Sequence, residues 1–478
     1  MSFLKSISRN SFFLASSQVI EKILSFLVVI LLARYLGKGD YGKLVYATAF
    51  ANLLTFFWDF GLHRLILRDV AKDRSLASTI FPSRLKLQIL SSLVGLGVLL
   101  GYLFLFEVRG LDRLLILIFA FSTALNHLSN SFRSIFIAFE KASYETYFNF
   151  GLRSFLLLAV FWGIQEGFGL IGISLILLFS SVLNLIGSWR LVENYFFHTG
   201  FRGRGDRLRP IVKESLPLAI IIAFTTFYFQ VNKILLLKWR GEAATGIYGA
   251  ADIIVMTFLI ISNSLVLASF PIISRESQLN KERTFAVYKG VFKVLLTLGL
   301  PVALGGMLLS KEVISFIYGT EFSESGEVLR ILIWATPLLF LTNFTGSCLI
   351  ATEKQRLLAF ICGCNMVLNL SLNLILIPSY GSVGAAIASL STEGVNLIIQ
   401  YQVLRHYWKA SVFESSLLKI LISLGLMGLF IHWAQEWNLI LILSGAILLY
   451  GAGLLATGFC SLRGLSALKR ARLFLNDR

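Results

Sequence analysis

Two adjacent charges, Glu21 and Lys22, stand in the middle of an apolar run, too deep in it for a side chain to snorkel out easily. Around them Ser11, Ala15, Gln18, Lys22 and Ser25 are spaced 4, 3, 4 and 3, which puts them on one face of a helix. Ser17 and Glu21 flank that face and widen its polar sector. A second stripe, Ser389, Glu393, Asn396 and Gln400, repeats the spacing 4, 3 and 4. A basic group at that depth suits an anion such as a phosphate. A carboxylate there suits a proton, Na⁺ or a cation carried on another helix, and the stripe equally suits a hydrogen-bonded seam between helices. Each such charge costs at least ~2.5–3.5 kcal/mol on insertion scales, so each calls for water or a partner.

Other charges sit nearer the ends of apolar runs. Arg133, Arg153 and Lys293 lie toward one end of their runs, and Lys233 and Asp252 toward the other. Asn365, Asn369 and Asn373 share a face, read as helix-to-helix packing. No metal spacing is present in His63, His127, His198, His406 and His432. Cys362 and Cys364 point to different faces, and with Cys348 and Cys460 they read as small packing residues. Glu312, Glu321, Glu324 and Glu327 form an acidic stretch that could mimic catalytic carboxylates, but paired acids need a cleft to position them. No Gly-rich phosphate loop of an ATPase occurs.

The elements that hold these residues follow from composition. The 478 residues are 56% hydrophobic and only 14% charged, with a mean hydropathy of +0.77, against about 25% charged in soluble domains. The apolar runs are about 20 residues long, the length that crosses a hydrocarbon core, and they do not alternate as barrel strands would. Fourteen helices are expected, near 11–33, 44–63, 87–106, 114–138, 146–164, 168–189, 214–237, 243–270, 291–309, 328–350, 357–377, 383–402, 420–435 and 437–460. With the N-terminus inside, cytoplasmic Lys and Arg outnumber external ones by more than three to one. Both termini are therefore expected in the cytoplasm. That bias accounts for most of the net charge of +17 without nucleic acid as a partner. The first apolar run is long, carries Glu21-Lys22 and lacks a small-x-small cleavage site, so it reads as a retained helix.

The chain also repeats itself. Ile137-Ala138-Phe139-Glu140-Lys141 recurs 213 positions later as Ile350-Ala351-Thr352-Glu353-Lys354. Gly169-Leu170-Ile171-Gly172 recurs as Gly381-Ser382-Val383-Gly384, and Asn184-Leu185-Ile186 as Asn396-Leu397-Ile398, both 212 positions on. Tyr41-Gly42 has a weaker echo in Thr245-Gly246. Six helices per repeat keep both copies in the same orientation, related by an axis along the membrane normal, with a path between them. The organisation expected is an N-lobe over 1–200, a C-lobe over 201–410, and a helix pair with a basic tail over 411–478.

Several stretches resemble polysaccharide flippases of the Wzx type in the MOP exporter superfamily. They are Ala33-Arg34-Tyr35-Leu36-Gly37 with Tyr41-Gly42, then Asp59-Phe60-Gly61-Leu62, then Asn232-Lys233-Ile234-Leu235-Leu236 with Gly246-Ile247-Tyr248. Asn369 to Asn373, Ile377-Pro378, Tyr380-Gly381 and Gly384-Ala385-Ala386-Ile387-Ala388 continue the likeness. The family often has Asp where this chain has Asn232.

The resemblance implies an all-α, V-shaped transporter that alternates between inward-open and outward-open states in the cytoplasmic (inner) membrane. Its substrate would be a polyprenyl-(pyro)phosphate-linked oligosaccharide for O-antigen, capsule or exopolysaccharide synthesis, with membrane lipids and a polysaccharide polymerase machinery as partners. Substrate contacts are expected from Lys22, Glu21, Gln18, Arg153, Lys233, Asp252, Lys293 and Arg133. Glu393 and Asn396 are candidates for coupling or for joining the lobes. No cofactor is expected, and the drive would come from H⁺, Na⁺ or the membrane potential. Alternatives are a lipid II-type flippase, a multidrug exporter of the same superfamily, and a membrane glycosyltransferase or polymerase.

Overall fold

A computed structural model of the chain describes residues 2–198, 208–408 and 416–459, with the side chains of 2–18, 142, 278 and 416 outside the description. Helices make up nearly all of the described residues, and no strand occurs among them. In order they form α1 (Ser2–Leu53), α2 (Thr55–Asp59), α3 (Leu62–Lys72), α4 (Ala77–Leu105), α5 (Gly110–Ala138), α6 (Ala142–Gln165) and α7 (Leu170–Tyr195). Then come α8 (Leu208–Leu279), α9 (Lys281–Leu308), α10 (Ser310–Tyr318), α11 (Ser325–Leu332), α12 (Ala335–Ala351), α13 (Gln355–Trp408), α14 (Ser416–Trp433) and α15 (Leu439–Ala456).

Three of these are two helices joined at a break. α1 breaks at Gly37 (φ 69°), α8 at Gly241 (φ 83°) and α13 at Gly381 (φ 57°). An L-residue with a side chain rarely adopts such angles, and glycine does so without steric cost. Each of these three therefore supplies two spans. With one each from α4–α7, α9, α12, α14 and α15, about fourteen helices result. It is a multi-pass membrane protein.

Two local differences from the sequence expectation are physical. The second span was expected to run to residue 63. Instead, Phe60 (φ 48°) and Gly61 (φ 71°) turn the chain, and α3 follows as an amphipathic helix. Leu62, Leu65, Ile66 and Val70 are buried while Arg64, Arg68 and Lys72 are exposed, a period of helical spacing inside what reads as a basic loop. The stretch 310–327 likewise folds into α10, a short turn at Thr320–Phe322 and the start of α11. Ile314, Tyr318, Phe322 and Val328 are buried there and hold it down.

The repeat is visible in backbone geometry. Glu140 (φ 58°) and Glu353 (φ 61°) are both left-handed non-glycine residues just past a helix end. Lys141 N donates to Phe136 O at 2.9 Å, and Lys354 N to Leu349 O at 2.8 Å. Glu140 N and Glu353 N each donate to the carbonyl three residues back at 3.0 Å. These bonds satisfy the last carbonyls of α5 and α12 in the same way.

The chain forms two compact units, one from residues 4–250 with 359–385, the other from 251–358 with the described residues from 386 onward. In the first, Trp58 lies among Phe50, Leu99, Leu103, Leu115 and Phe119, and its Nε1 donates to Ala51 O at 3.0 Å. In the second, α14 and α15 close on α9 through Ile420, Leu424, Met427, Ile431, Ile442 and Ala446. Tyr450 Oη, on α15, donates to Thr297 O of α9 at 2.8 Å.

The echo at Gly42 and Gly246 is a contact. A β-carbon at Gly42 would overlap the carbonyl oxygen of Glu242, and one at Gly246 would overlap that of Lys38. Lys38, Gly42 and Gly37 correspond to Glu242, Gly246 and Gly241, each 204 positions on. Residue i therefore meets the counterpart of j while j meets the counterpart of i, the reciprocity a local two-fold produces. Lys43 Nζ adds an ion pair to Glu242 at 3.4 Å and one to Asp40 at 3.0 Å.

Candidate functional site

A connected group of charges lies in the first unit, between α1, α5 and α6. On α6, Glu145, Asn149 and Arg153 follow one another at four-residue intervals and so share a face. Arg133 of α5 meets Glu145 through Nε, at 2.8 and 3.1 Å from its two carboxylate oxygens, and also through Nη2. Asn149 Nδ2 donates to the same carboxylate at 3.0 Å. Arg153 Nη2 reaches Glu21 of α1 at 2.8 Å, and Glu21 also lies 4.0 Å from Arg133. Burial grades across the network: the side chains of Arg133 and Glu145 are 12% and 9% exposed, those of Glu21 and Arg153 both 29%.

Together these four and Lys22 make three basic groups against two acids. Arg133 is bound up with Glu145, a buried pair that breaking would leave uncompensated. Arg153 is less committed. One of its nitrogens serves Glu21, while its Nε is buried with no hydrogen-bond partner. Lys22 is exposed beside Glu21. The open edge of the network is therefore donor-rich and positive, which suits a multiply charged oxyanion. The structure thus brings Glu21, Lys22, Arg133 and Arg153 together. It adds Glu145 and Asn149, which the sequence reading did not single out. Their spacing from Arg153 was the available signal. The side chain of Gln18 lies outside the described residues.

Also in the first unit, Lys233 Nζ donates to Gln230 Oε1 at 3.3 Å. Its neighbour Asn232 turns into an amide knot instead of an acid–base pair. Asn373 Nδ2 donates to Asn232 Oδ1 at 2.7 Å and to Asn369 Oδ1 at 2.9 Å, and Asn232 Nδ2 donates to Tyr248 Oη at 2.9 Å. Asp59 is buried at the end of α2, where the chain turns into α3.

In the second unit, Asp252 on α8 is buried and Lys293 on α9 half-buried. Glu393 of α13 is 2% exposed and accepts from Thr342 Oγ1 of α12 at 2.9 Å. Asn396 Nδ2 approaches the same carboxylate at 3.4 Å, Gln400 Nε2 donates to Asn396 Oδ1 at 2.7 Å, and Thr345 Oγ1 donates to Gln400 Oε1 at 2.5 Å. The polar stripe of α13 is thus a seam against α12. Next to it, Phe292, Leu300, Trp334, Pro337, Leu341, Leu390 and others line an apolar cavity of about 440 Å³.

The acids of the stretch 310–327 do not converge. Glu312, Glu321, Glu324 and Glu327 are all exposed, and Glu327 pairs with Lys311 at 2.9 Å. Cys348 is buried, Cys362 half-buried and Cys364 exposed; Cys460 lies outside the described residues. No group of three His, Cys, Asp or Glu able to hold a metal ion occurs among the described residues.

Comparison with known proteins gives consistent matches. The profile of a family described as "Polysaccharide biosynthesis protein" matches residues 7–277, and that of the MatE family matches residues 217–375. The chain is 22% identical over 428 residues to an uncharacterized membrane protein of Methanocaldococcus jannaschii, covering 84% of this chain and 98% of that one. It is 27% identical over 182 residues to a probable low-salt glycan biosynthesis flippase of Haloferax volcanii, covering 38% of this chain and 39% of that one. A solved structure of the lipid II flippase MurJ in an inward closed conformation matches with a TM-score of 0.75 at 14% identity, covering 94% and 98% of the two chains. At that identity the likeness is one of fold.

Proposed function

Because the chain belongs to the polysaccharide biosynthesis protein family, the flippase branch of the MOP superfamily, we propose that it carries a polyprenyl-(pyro)phosphate-linked oligosaccharide across the cytoplasmic membrane. A single observation carries this reading: the positive, donor-rich edge formed by Arg153 and Lys22 beside Glu21, at span depth. A pyrophosphate cannot enter hydrocarbon unpaired, whereas Arg153 and Lys22 at the edge of the network present N–H donors that phosphate oxygens can accept. The polyprenyl tail stays in lipid, and only the head group crosses.

Alternating access needs a seal at each face in turn. The reciprocal contact of Gly42 with Glu242 and of Gly246 with Lys38, closed by the Lys43–Glu242 pair, is our candidate for the external one. Glu393, held by Thr342 and Asn396, is our candidate for the group that binds H⁺ or Na⁺ and couples transport to an ion gradient or the membrane potential. Asp252, Lys233 and Lys293 are further substrate candidates, and a polysaccharide polymerase would take the flipped product. Both termini are cytoplasmic in this reading. Impermeant maleimide should label cysteines placed at 38 or 109 in intact cells but not one placed at 74.

Gene deletion complemented with variants tests the reading. Deletion should cause polyprenyl-linked oligosaccharide to accumulate on the cytoplasmic side. Lys22→Ala and Arg153→Gln should fail to restore surface polysaccharide while the protein stays in the membrane, and Lys22→Arg should restore part of it. Accumulation of lipid II instead would move the substrate to peptidoglycan. Loss of the protein itself in both variants would make the network a folding element.

A further inference from the structure

The repeat supplies an internal control for one corner of the molecule. In the first unit that corner joins the start of α4, the turn after α5 and the end of α7. Arg74 there pairs with Glu140 at 2.7 Å and lies 5.9 Å from the centre of the Phe139 ring, while Lys141 lies 5.9 Å from that of Tyr144. Tyr144 and Phe139 in turn pack on Tyr195 and Phe196, with ring centres 5.3 and 5.2 Å apart. The arginine is neutralised and the lysine has its own ring.

In the second unit the same corner joins the start of α9, the turn after α12 and the end of α13. The correspondence is residue by residue. Lys354 stands for Lys141, Tyr407 and Trp408 for Tyr195 and Phe196, and Asn280 caps α9 as Asp73 caps the turn Arg74–Leu76 that leads into α4. The charge arrangement differs. Lys281 and Lys354 converge on one ring, their ammonium groups 5.1 and 3.7 Å from the centre of Tyr407. Among the described residues neither ammonium has a carboxylate within ion-pair distance. Burial, and then the charge of Lys281, hold the Lys354 ammonium below the usual lysine range. Two cations crowd where the first unit balances one with Glu140.

The rest of the corner also offers donors. Trp408 Nε1 and Tyr288 Oη are buried with no hydrogen-bond partner, in rings whose centres are 4.6 Å apart, and the Tyr407 ring lies 6.1 Å from that of Trp408. Lys281 is the first residue of the 28-residue α9, so the positive end of a long helix dipole adds to the lysines. The corner lies at the ends of membrane-spanning helices, and Tyr and Trp are enriched where such ends meet lipid head groups.

We propose that Lys281, Lys354 and Tyr407 bind the phosphate of an anionic phospholipid head group at the membrane surface. The two ammonium groups grip the phosphate oxygens, the Tyr407 ring supports the lysine stems from one side, and the acyl chains lie along α9 and α13 in the bilayer. The site is independent of what the protein transports.

The test uses the full chain purified in a neutral detergent and native mass spectrometry with added phosphatidylglycerol, phosphatidylcholine or inorganic phosphate. Phosphatidylglycerol should be retained in preference to phosphatidylcholine. The double variant Lys281→Gln, Lys354→Gln should weaken that retention by about fivefold for each lysine, whereas Arg74→Gln, Lys141→Gln in the first unit should leave it unchanged. Inorganic phosphate at the same concentration should not displace the lipid, because it lacks the acyl chains. Equal retention of both lipids, equal loss in the two double variants, or displacement by inorganic phosphate would each overturn the assignment. On the unmodified chain, retention of phosphatidylglycerol that does not fall with added salt would overturn it as well, with no variant needed.

Discussion

The seam between α5 and α7 and the seam between α12 and α13 occupy equivalent places in a duplicated chain, yet only one contains a carboxylate. In the first, Ser122 and Ser181 hydroxyls lie 2.6 Å apart, Asn126 Nδ2 donates to Ser181 at 2.9 Å, and Asn184 Nδ2 to Asn126 Oδ1 at 2.8 Å. In the second, Ser181 is replaced by Glu393 and Ser188 by Gln400, each 212 positions on, while Asn184 stays Asn396. The charged network runs the other way. Glu21, Arg133, Glu145 and Arg153 correspond by the repeat to Thr225, Gly346, Leu358 and Met366. Duplication has kept backbone geometry, down to the left-handed Glu140 and Glu353, and let charge diverge. Helix seams tolerate that divergence because a hydroxyl, an amide or a carboxylate can each satisfy a neighbour across the same gap. A lone buried charge cannot be accommodated so freely. The ionic groups are therefore the part of each half that packing alone does not account for.

The comparison breaks most easily at Arg133. Arg133→Ala leaves Glu145 buried without its cation and should destabilise the protein by about 3–5 kcal/mol, seen as a lower midpoint of thermal unfolding in detergent. Arg133→Met combined with Glu145→Met should recover most of that loss. If the single variant melts like the parent, the network carries no structural load. Gly42→Val should come next. Its side chain must displace the Glu242 backbone, an overpacking cost of about 1–3 kcal/mol that falls on the contact proposed as the external seal, so transport should fall more than protein level does.

Smaller effects sharpen the contrast between the two seams. Glu393→Leu removes the Thr342 hydrogen bond and should cost up to about 1.7 kcal/mol, against about 0.6 kcal/mol for Ser181→Ala, the maximum and mean for such bonds in membranes. Glu393→Gln should keep the seam's stability yet lose the dependence of transport on an imposed ion gradient. Full gradient dependence in Glu393→Gln would remove it as the coupling group. Smallest is Lys43→Gln. Its partners Asp40 and Glu242 are 45% and 44% exposed, so the loss should stay below about 1 kcal/mol and vanish at high salt.

The sequence by itself determined the class, the helices and the repeat. Hydrocarbon thickness fixes the length of an apolar run, and an unpaired backbone is not tolerated in lipid, so composition and run length decide the fold class without tertiary information. Lys22, Glu21 and Glu393 were legible because a charge inside an apolar run is costly wherever it points. Their partners were not. Glu145 sits near a helix start and reads as an ordinary interfacial acid; only the approach of α5 and α1 turns it into the counter-ion of Arg133 in a chain of charges ending at Lys22. The same holds for Gly42 and Gly246, a faint echo until two backbones meet, and for Lys281 and Lys354, 73 positions apart and brought over one ring. Local chemistry and period are written along the chain. Which charges neutralise each other, and which are left for a ligand, depends on distances between helices that no local pattern encodes.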